Sequence, residues 1–251
     1  MKVTATIQAR MGSSRLPGKV LMDICGKPML LWQVERIRRA RLVDEIIIAT
    51  TFSVADDAIE TFCKKNNIKF FRGSENDVLD RVANLIKEKN IDIHVECYGD
   101  SPFIDPQIID ESIGFYLKKD IPNGYFSSAL ETTYPPGMEV TIYRGRMLTE
   151  VNNLISKNDP LREHVGYNIT RFKDKFPLIS ILAQDYLYNP DIYLEVDTKE
   201  DIEVLREVTK HFLKINKNHF SLIEIINFLN ENNYLIEKNK LVERRWKDFR
   251  K

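Results

Sequence analysis

Hydrophobic positions in the first hundred residues follow two alternating rhythms. Runs rich in β-branched residues at 3–9, 45–50, 68–72 and 93–98 have the length and composition of strands. The stretches between them, 28–41, 53–66 and 77–90, repeat at helical spacing, the first placing Leu30, Leu31, Val34 and Ile37 on one face. Parallel strands cannot be joined by a tight turn, so strands separated by helical crossovers predict a mainly parallel sheet with helices on both faces, an α/β fold. Helix-start signals agree. Ser53, Ser74 and Thr198 each precede an acid by three residues (Asp56, Asp77 and Asp201), and Asp105-Pro106 reads as an N-cap followed by a proline at the first helical position.

Beyond residue 120 the rhythm loosens. Strands are expected at 125–129, 138–143, 178–183 and 192–196, and helices at 145–155, 161–172, 201–212 and 222–230, with a turn at Tyr134-Pro135-Pro136-Gly137. No polar linker and no internal repeat divides the chain, so a single domain over 1–251 is expected, with an insertion around 121–175 and a helical extension over 217–251.

Composition narrows the class. At 251 residues, 43% hydrophobic and 29% charged, the chain can bury a core and is neither disordered nor a disulfide scaffold. Its 37 Lys+Arg balance 37 Asp+Glu, so no whole-molecule field draws it to nucleic acid or an anionic membrane, and any anion site must be local. Cys25, Cys63 and Cys97 lack CxxC or zinc spacing and read as reduced thiols. No signal-like apolar core and no membrane-length run is present, so a cytoplasmic location is expected. The basic carboxyl-terminal run (Lys238, Lys240, Arg244, Arg245, Lys247, Arg250 and Lys251) reads as a solvated terminal helix or frayed tail, with no assigned function.

The stretch from Gln8 to Lys19, directly after the first expected strand, holds Arg10, Arg15 and Lys19, Gly12 and Gly18, and Ser13 and Ser14, without an acid. In open α/β sheets ligands bind at the carboxyl ends of strands. Glycines let backbone N–H groups approach phosphate oxygens, Arg offers forked donors and Lys a compact charge, so the loop reads as a polyphosphate cradle. It is not a P-loop: five residues separate Gly12 from Gly18 where that motif has four, and Val20 follows Lys19 where it needs Ser or Thr. No GxGxxG occurs, which argues against a dinucleotide-binding dehydrogenase.

Two acids fall at ends of expected strands, Asp100 in Gly99-Asp100-Ser101-Pro102 and Asp197 in Tyr193-Leu194-Glu195-Val196-Asp197-Thr198. Two carboxylates beside a cationic loop form a candidate Mg²⁺ site, because a cation between them and a triphosphate removes their mutual repulsion. His94, within a strand pattern, reads as a packed strand residue.

The run from Ile7 to Lys19, Gly26-Lys27-Pro28-Met29-Leu30, the stretch from Phe71 to Arg81, Gly99-Asp100-Ser101-Pro102-Phe103-Ile104-Asp105 and Arg162-Glu163-His164-Val165 together resemble the cytidylyltransferases of the spore-coat polysaccharide protein F type. These are relatives of the CMP-sialic acid and CMP-Kdo synthetases. The resemblance spans roughly residues 3–210 in order. It implies a Rossmann-like, glycosyltransferase-A-like three-layer nucleotidyltransferase fold, a homodimer with a dimerisation segment around 121–175, and transfer of CMP from CTP with Mg²⁺ as cofactor. By position, Gln8 and Ala9 would border the cytosine, and Arg10, Gly12, Ser13, Arg15 and Lys19 would hold the triphosphate. Arg72, Gly73 and Ser74 would lie by the nucleoside, Asp100 and Asp197 would bind metal, and Glu139, Arg162 and His164 would lie near the acceptor. Arg15, Lys19 and Asp100 would carry catalysis. Pro136 stands where relatives usually have Asp, and Thr141 where many have Glu, which leaves the acceptor open.

The leading expectation is that a hydroxyl of an acidic sugar or sugar-like acid attacks the α-phosphorus of CTP, releasing pyrophosphate for glycan or surface polysaccharide synthesis. Two alternatives stand beside it. One is a nucleotidyltransferase joining another base to a sugar phosphate, since a cradle built for triphosphate does not read the base. The other is a catalytically silent nucleotide-binding subunit.

Overall fold

The computed structural model describes residues 1–248. Alternation in Val3–Gln8 (β1) buries Val3, Ala5 and Ile7 on one face and Thr4 and Thr6 on the other. A short hairpin, Asp23–Ile24 (β2) with Lys27–Pro28 (β3), leads into Met29–Ile37 (α1). Glu45–Thr51 (β4), Asp57–Lys65 (α2), Lys69–Gly73 (β5), Val78–Lys89 (α3), Ile93–Tyr98 (β6) and Pro106–Lys119 (α4) complete the regular half. Then follow Tyr125–Ser127 (β7), Thr141–Arg144 (β8), Gly145–Leu154 (α5), Tyr167–Thr170 (α6), Leu178–Ser180 (β9), Lys199–Lys214 (α7), Leu222–Glu231 (α8) and Asn233–Lys240 (α9).

The main sheet runs β5-β4-β1-β6-β8-β7-β9. Its strands point one way except β8, which is antiparallel to both β6 and β7. One face is covered by α1, α2, α4, α7 and α8, through residues such as Leu30, Phe62, Ile109, Leu205 and Ile225. The other is covered by α3 and α5, through Val82, Ile86, Leu148 and Val151. This is the mainly parallel, two-faced α/β sheet that the alternation predicts. The chain passes from β1 outward to β4 and β5 and returns on the other side of β1 as β6, so a topological switch point lies at the carboxyl ends of β1 and β6.

Departures from expectation have local causes. Ser53 makes no side-chain cap; a 3₁₀ turn over Val54–Asp56 precedes α2, and the buried Asp56 carboxylate accepts instead from the Met11 and Thr51 amides. Asp77 rather than Ser74 caps α3, accepting from the Asp80 amide. The Thr198–Asp201 capping box and the Asp105 cap before Pro106 are both formed. The expected helix over 161–172 breaks into a 3₁₀ turn and the short α6 at His164, whose φ −103° and ψ 84° leave the helical region, and Gly166 beyond it packs on Glu96, where a Cβ would lie 2.5 Å from Oε2. The expected strand over 192–196 is buried irregular chain, its amides at Leu194 and Glu195 donating to Pro136 O and that of Val196 to Asp100 O. His94 is fully buried, its Nε2 2.7 Å from Thr6 Oγ1, and burial lowers it to about 3.

Candidate active site

A cavity of about 570 Å³ opens at the carboxyl ends of β1 and β6. The two strand ends meet closely there: Gly99 N donates to Gln8 O at 3.1 Å, and a Cβ on Gly99 would lie 2.3 Å from that oxygen. Only glycine allows this contact, which aims the Gly99-Asp100 peptide at the cradle. The loop after β1 is braced from both sides. Gly18, at φ +73°, donates to Met11 O at 2.8 Å, Met11 N donates to Asp56 Oδ1 at 2.7 Å, and Leu16 and Val20 are buried.

The loop's cations converge on Asp100, just after β6, and on Asp197, just after the irregular 192–196 run. Lys19 Nζ lies 3.2 Å from Asp197 Oδ1 and 3.6 Å from Asp100 Oδ2, and also donates to Val196 O at 2.5 Å. Arg15 Nη2 lies 2.6 Å from Asp197 Oδ2. Both carboxylates thus share one ammonium, while the Val196 amide ties the two acidic segments together through Asp100 O. Asp197 is oriented from behind: its amide, like that of Thr198, donates to the buried Asp201 at 2.8 Å.

Gln8, Ala9, Arg10, Ser13, Arg15, Lys19, Asp100, Asp197, Glu139 and His164 line the cavity. Arg10 crosses to Glu163, 3.0 Å away, joining the loop after β1 to the turn before α6. Burial lowers the His164 imidazole, against the opposing pull of Glu163. Glu139 accepts from Gly137 N at 2.7 Å, in a turn where Gly137 takes φ +104° with Leu194 and Glu195 backbone packed against it.

Five expected residues lie elsewhere. Gly12 does not line the cavity, although its neighbour Ser13 does. Arg72 is turned onto Asp57 and Glu60, at 2.7 and 2.6 Å, and onto Thr51 O. Gly73 packs on Arg81, where a Cβ would lie 2.7 Å from Cγ, and Ser74 accepts from the Asp77 amide. The β5 turn therefore reaches the cavity indirectly: it supports Arg81, which lines it and donates to Ser74 O at 2.6 Å. Arg162 is buried and pinned to Asp77 Oδ2 at 2.9 Å and to Ile155 O at 3.1 Å, so it braces the turn that carries Glu163 and His164.

Two groups of cavity residues escaped the sequence reading. Glu195 is buried beside Glu139 and Asp100; burial, reinforced by those two charges, pushes its carboxyl up to about 8, and it accepts from Trp246 Nε1 at 2.8 Å. Its place two residues before Asp197 was the available signal. The second group overturns the solvated-tail expectation for Arg244 and Arg245, while Lys238 and Lys240 are exposed on the terminal helix α9 as expected. Arg244 is buried, with Nη2 2.7 Å from Asp201 Oδ1 and the guanidinium stacked 4.6 Å from the Tyr193 ring. Glu243 O accepts from Arg15 at 2.5 Å, Arg245 Nη1 lies 3.2 Å from Ser14 Oγ, and Arg245 and Trp246 line the cavity. Arg250 and Lys251 lie outside the described residues.

Behind Gln8, Glu96 is buried and pushed upward by that burial; its Oε1 accepts from Gln8 Nε2 at 3.1 Å and from Gly166 N at 3.3 Å, and its Oε2 from the Tyr143 hydroxyl at 2.8 Å.

The family profile described as cytidylyltransferase matches residues 4–242. The spore coat polysaccharide biosynthesis protein SpsF of Bacillus subtilis is 31% identical over 90% of this chain and 93% of its own. A cytidylyltransferase structure from Leptospira borgpetersenii superposes with a TM-score of 0.88 at 30% identity, covering 97% of this chain and all of that one. The structure of a CMP:2-keto-3-deoxy-manno-octonic acid synthetase complexed with CTP shares the fold, with a TM-score of 0.62 at 21% identity, over 84% of this chain and 99% of that one.

Proposed function

Because the chain belongs to the cytidylyltransferase family, we propose that it transfers CMP from CTP to a hydroxyl of an acidic sugar or sugar-like acid, with Mg²⁺ as cofactor. The observation that carries this reading is the shared grip of Lys19 on Asp100 and Asp197, with Arg15 on the second acid. The acceptor oxygen bonds to the α-phosphorus, the bond from that phosphorus to the oxygen bridging to the β-phosphate breaks, and pyrophosphate leaves with the electron pair. The hydroxyl proton passes to solvent. Lys19 and Arg15 exchange their carboxylates for phosphate oxygens and stabilise the charge growing on pyrophosphate.

Two carboxylates within 4 Å of one ammonium suit Mg²⁺, which takes one or two protein carboxylates and completes its shell with water and phosphate oxygens. Asp100 and Asp197 would hold it, and when bound it would offset repulsion and polarise the phosphorus.

Support for cytosine comes from Gln8. With Nε2 spent on Glu96, the amide presents its oxygen as an acceptor, and cytosine carries a 4-amino donor where a thymine-like base carries a carbonyl. A homodimer is supported by edge strand β9 and by exposed Leu178, Leu182, Tyr186 and Tyr188 beside it, which would place the contact just beyond the 121–175 segment, and light scattering would test it. No helix among the described residues is long and apolar enough to cross a membrane; three free thiols support a cytoplasmic location, and the SpsF relative supports a role in polysaccharide synthesis.

The deciding experiment measures pyrophosphate release with each of the four nucleoside triphosphates against a panel of keto-acid sugars and sugar phosphates, with product mass. CTP-dependent release with a CMP-linked product is expected. Strongest turnover with a purine triphosphate, or CTP binding without release for any acceptor, would overturn the reading.

A further inference from the structure

We propose that Arg245, on the turn after α9, is a triphosphate-binding residue that adds a cation to the subsite of Arg15 and Lys19; this rests on the nucleotidyl-transfer reading above. Five cationic side chains line the cavity: Arg10, Arg15, Lys19, Arg81 and Arg245. Three are already committed, Arg10 to Glu163, Arg15 to Asp197, and Lys19 to Asp197 and Asp100. Arg81 is drawn back onto Ser74 O, and burial lowers it to about 10. Among the described residues Arg245 pairs with no carboxylate; its described polar contact is to Ser14 Oγ, within the cradle loop itself.

The chain on either side fixes this placement. Arg244 is clamped in the interior by Asp201, whose other oxygen holds the amides of Asp197 and Thr198, so the anchor of the tail and the support of the acid are one carboxylate. Glu243 O takes the Arg15 guanidinium and Trp246 reaches Glu195. An exposed guanidinium is thereby held at the cradle without an acid to neutralise it, which suits a polyanion and gives nothing to a neutral ligand. Its reach from Ser14 places it on the phosphate side, so it should grip β- and γ-phosphates rather than the nucleoside.

The test is calorimetric titration of the full chain, in magnesium buffer, with CTP, pyrophosphate and CMP. Arg245→Gln should weaken CTP and pyrophosphate about tenfold or more while CMP stays within about twofold, and Arg245→Lys should recover part of the loss. Arg245 is exposed, so the variants should melt with the wild type. Unchanged pyrophosphate affinity in Arg245→Gln, or an equal loss for CMP, would overturn the assignment. A wild-type chain that binds no CTP would overturn the underlying reading instead, and Arg245's role with it.

Discussion

Along the cradle, Asp197 sits against Arg15 and Lys19 and Asp100 against Lys19, whereas on the neighbouring wall Glu96, Glu139 and Glu195 are withdrawn from water and met mainly by neutral donors. Those donors are the Tyr143 hydroxyl, the Gly166 and Gly137 amides and the Trp246 indole, with Arg244 Nε 3.6 Å from Glu195. The two arrangements suit different tasks. A partly solvated ion pair trades partners readily when a phosphate arrives, because its charges are screened and its worth is small. A buried carboxylate held by fixed dipoles cannot rearrange without leaving a polar group unsatisfied, so it positions its neighbours.

The contrast can be broken at its strongest point first. Asp100→Asn should lower kcat about 10²-fold or more, and Lys19→Ala by a similar factor, with melting temperatures within about 2 °C of wild type, as steady-state kinetics and calorimetry would show. Normal turnover in either would deny the cradle its chemistry. Glu96→Gln comes next: a neutral partner with both donors and acceptors frees the Gln8 amide to turn over, so discrimination between CTP and UTP should fall roughly tenfold in kcat/KM.

Glu195→Gln tests the wall through stability. Its carboxyl is raised from the ordinary 4.5 to about 8, so between those pH values the native state holds a proton that the unfolded chain has released. Stability therefore falls as pH rises through that window, and the amide removes the dependence. The variant should melt a few degrees above wild type at pH 8 and with it below about pH 4.5. The smallest effect is reserved for Arg72→Ala, which should leave the KM for CTP within about twofold because that guanidinium is engaged by Asp57 and Glu60 away from the cavity. A tenfold rise would bring Arg72 back to the nucleoside.

What was legible in the sequence was what is governed by neighbours along the chain. β1, β4, β5 and β6 lie within a residue of their expected bounds because period-2 burial and helical crossovers leave their imprint locally. That Arg15, Lys19 and Asp100 line one cavity was legible too, because strand ends in such a sheet face a ligand, whereas Asp197 joins them although no strand precedes it. The 192–196 segment was not, since its amides are satisfied by Pro136 and Asp100, and apolar alternation cannot tell a ladder from a buried irregular run. The tail was the largest miss. A run of Lys and Arg looks solvated by composition, and only the distant Asp201, Ser14 and Glu195 make its residues structural. Arg72 and Arg162 show the converse: cations in matching motifs that the fold spends on bracing.

The hydrogen bond from Arg15 to Glu243 O spans 228 positions of sequence, and Arg15, Arg245 and Trp246 line one cavity, so the pocket is assembled only by folding. A ligand that recognises it cannot associate with the denatured ensemble, and by mass action a hundredfold excess over Kd adds about 2.7 kcal/mol to unfolding. Thermal shift thus becomes a route to the missing co-substrate: in the presence of CTP, the sugar that raises the melting point further is the one the pocket was shaped to hold.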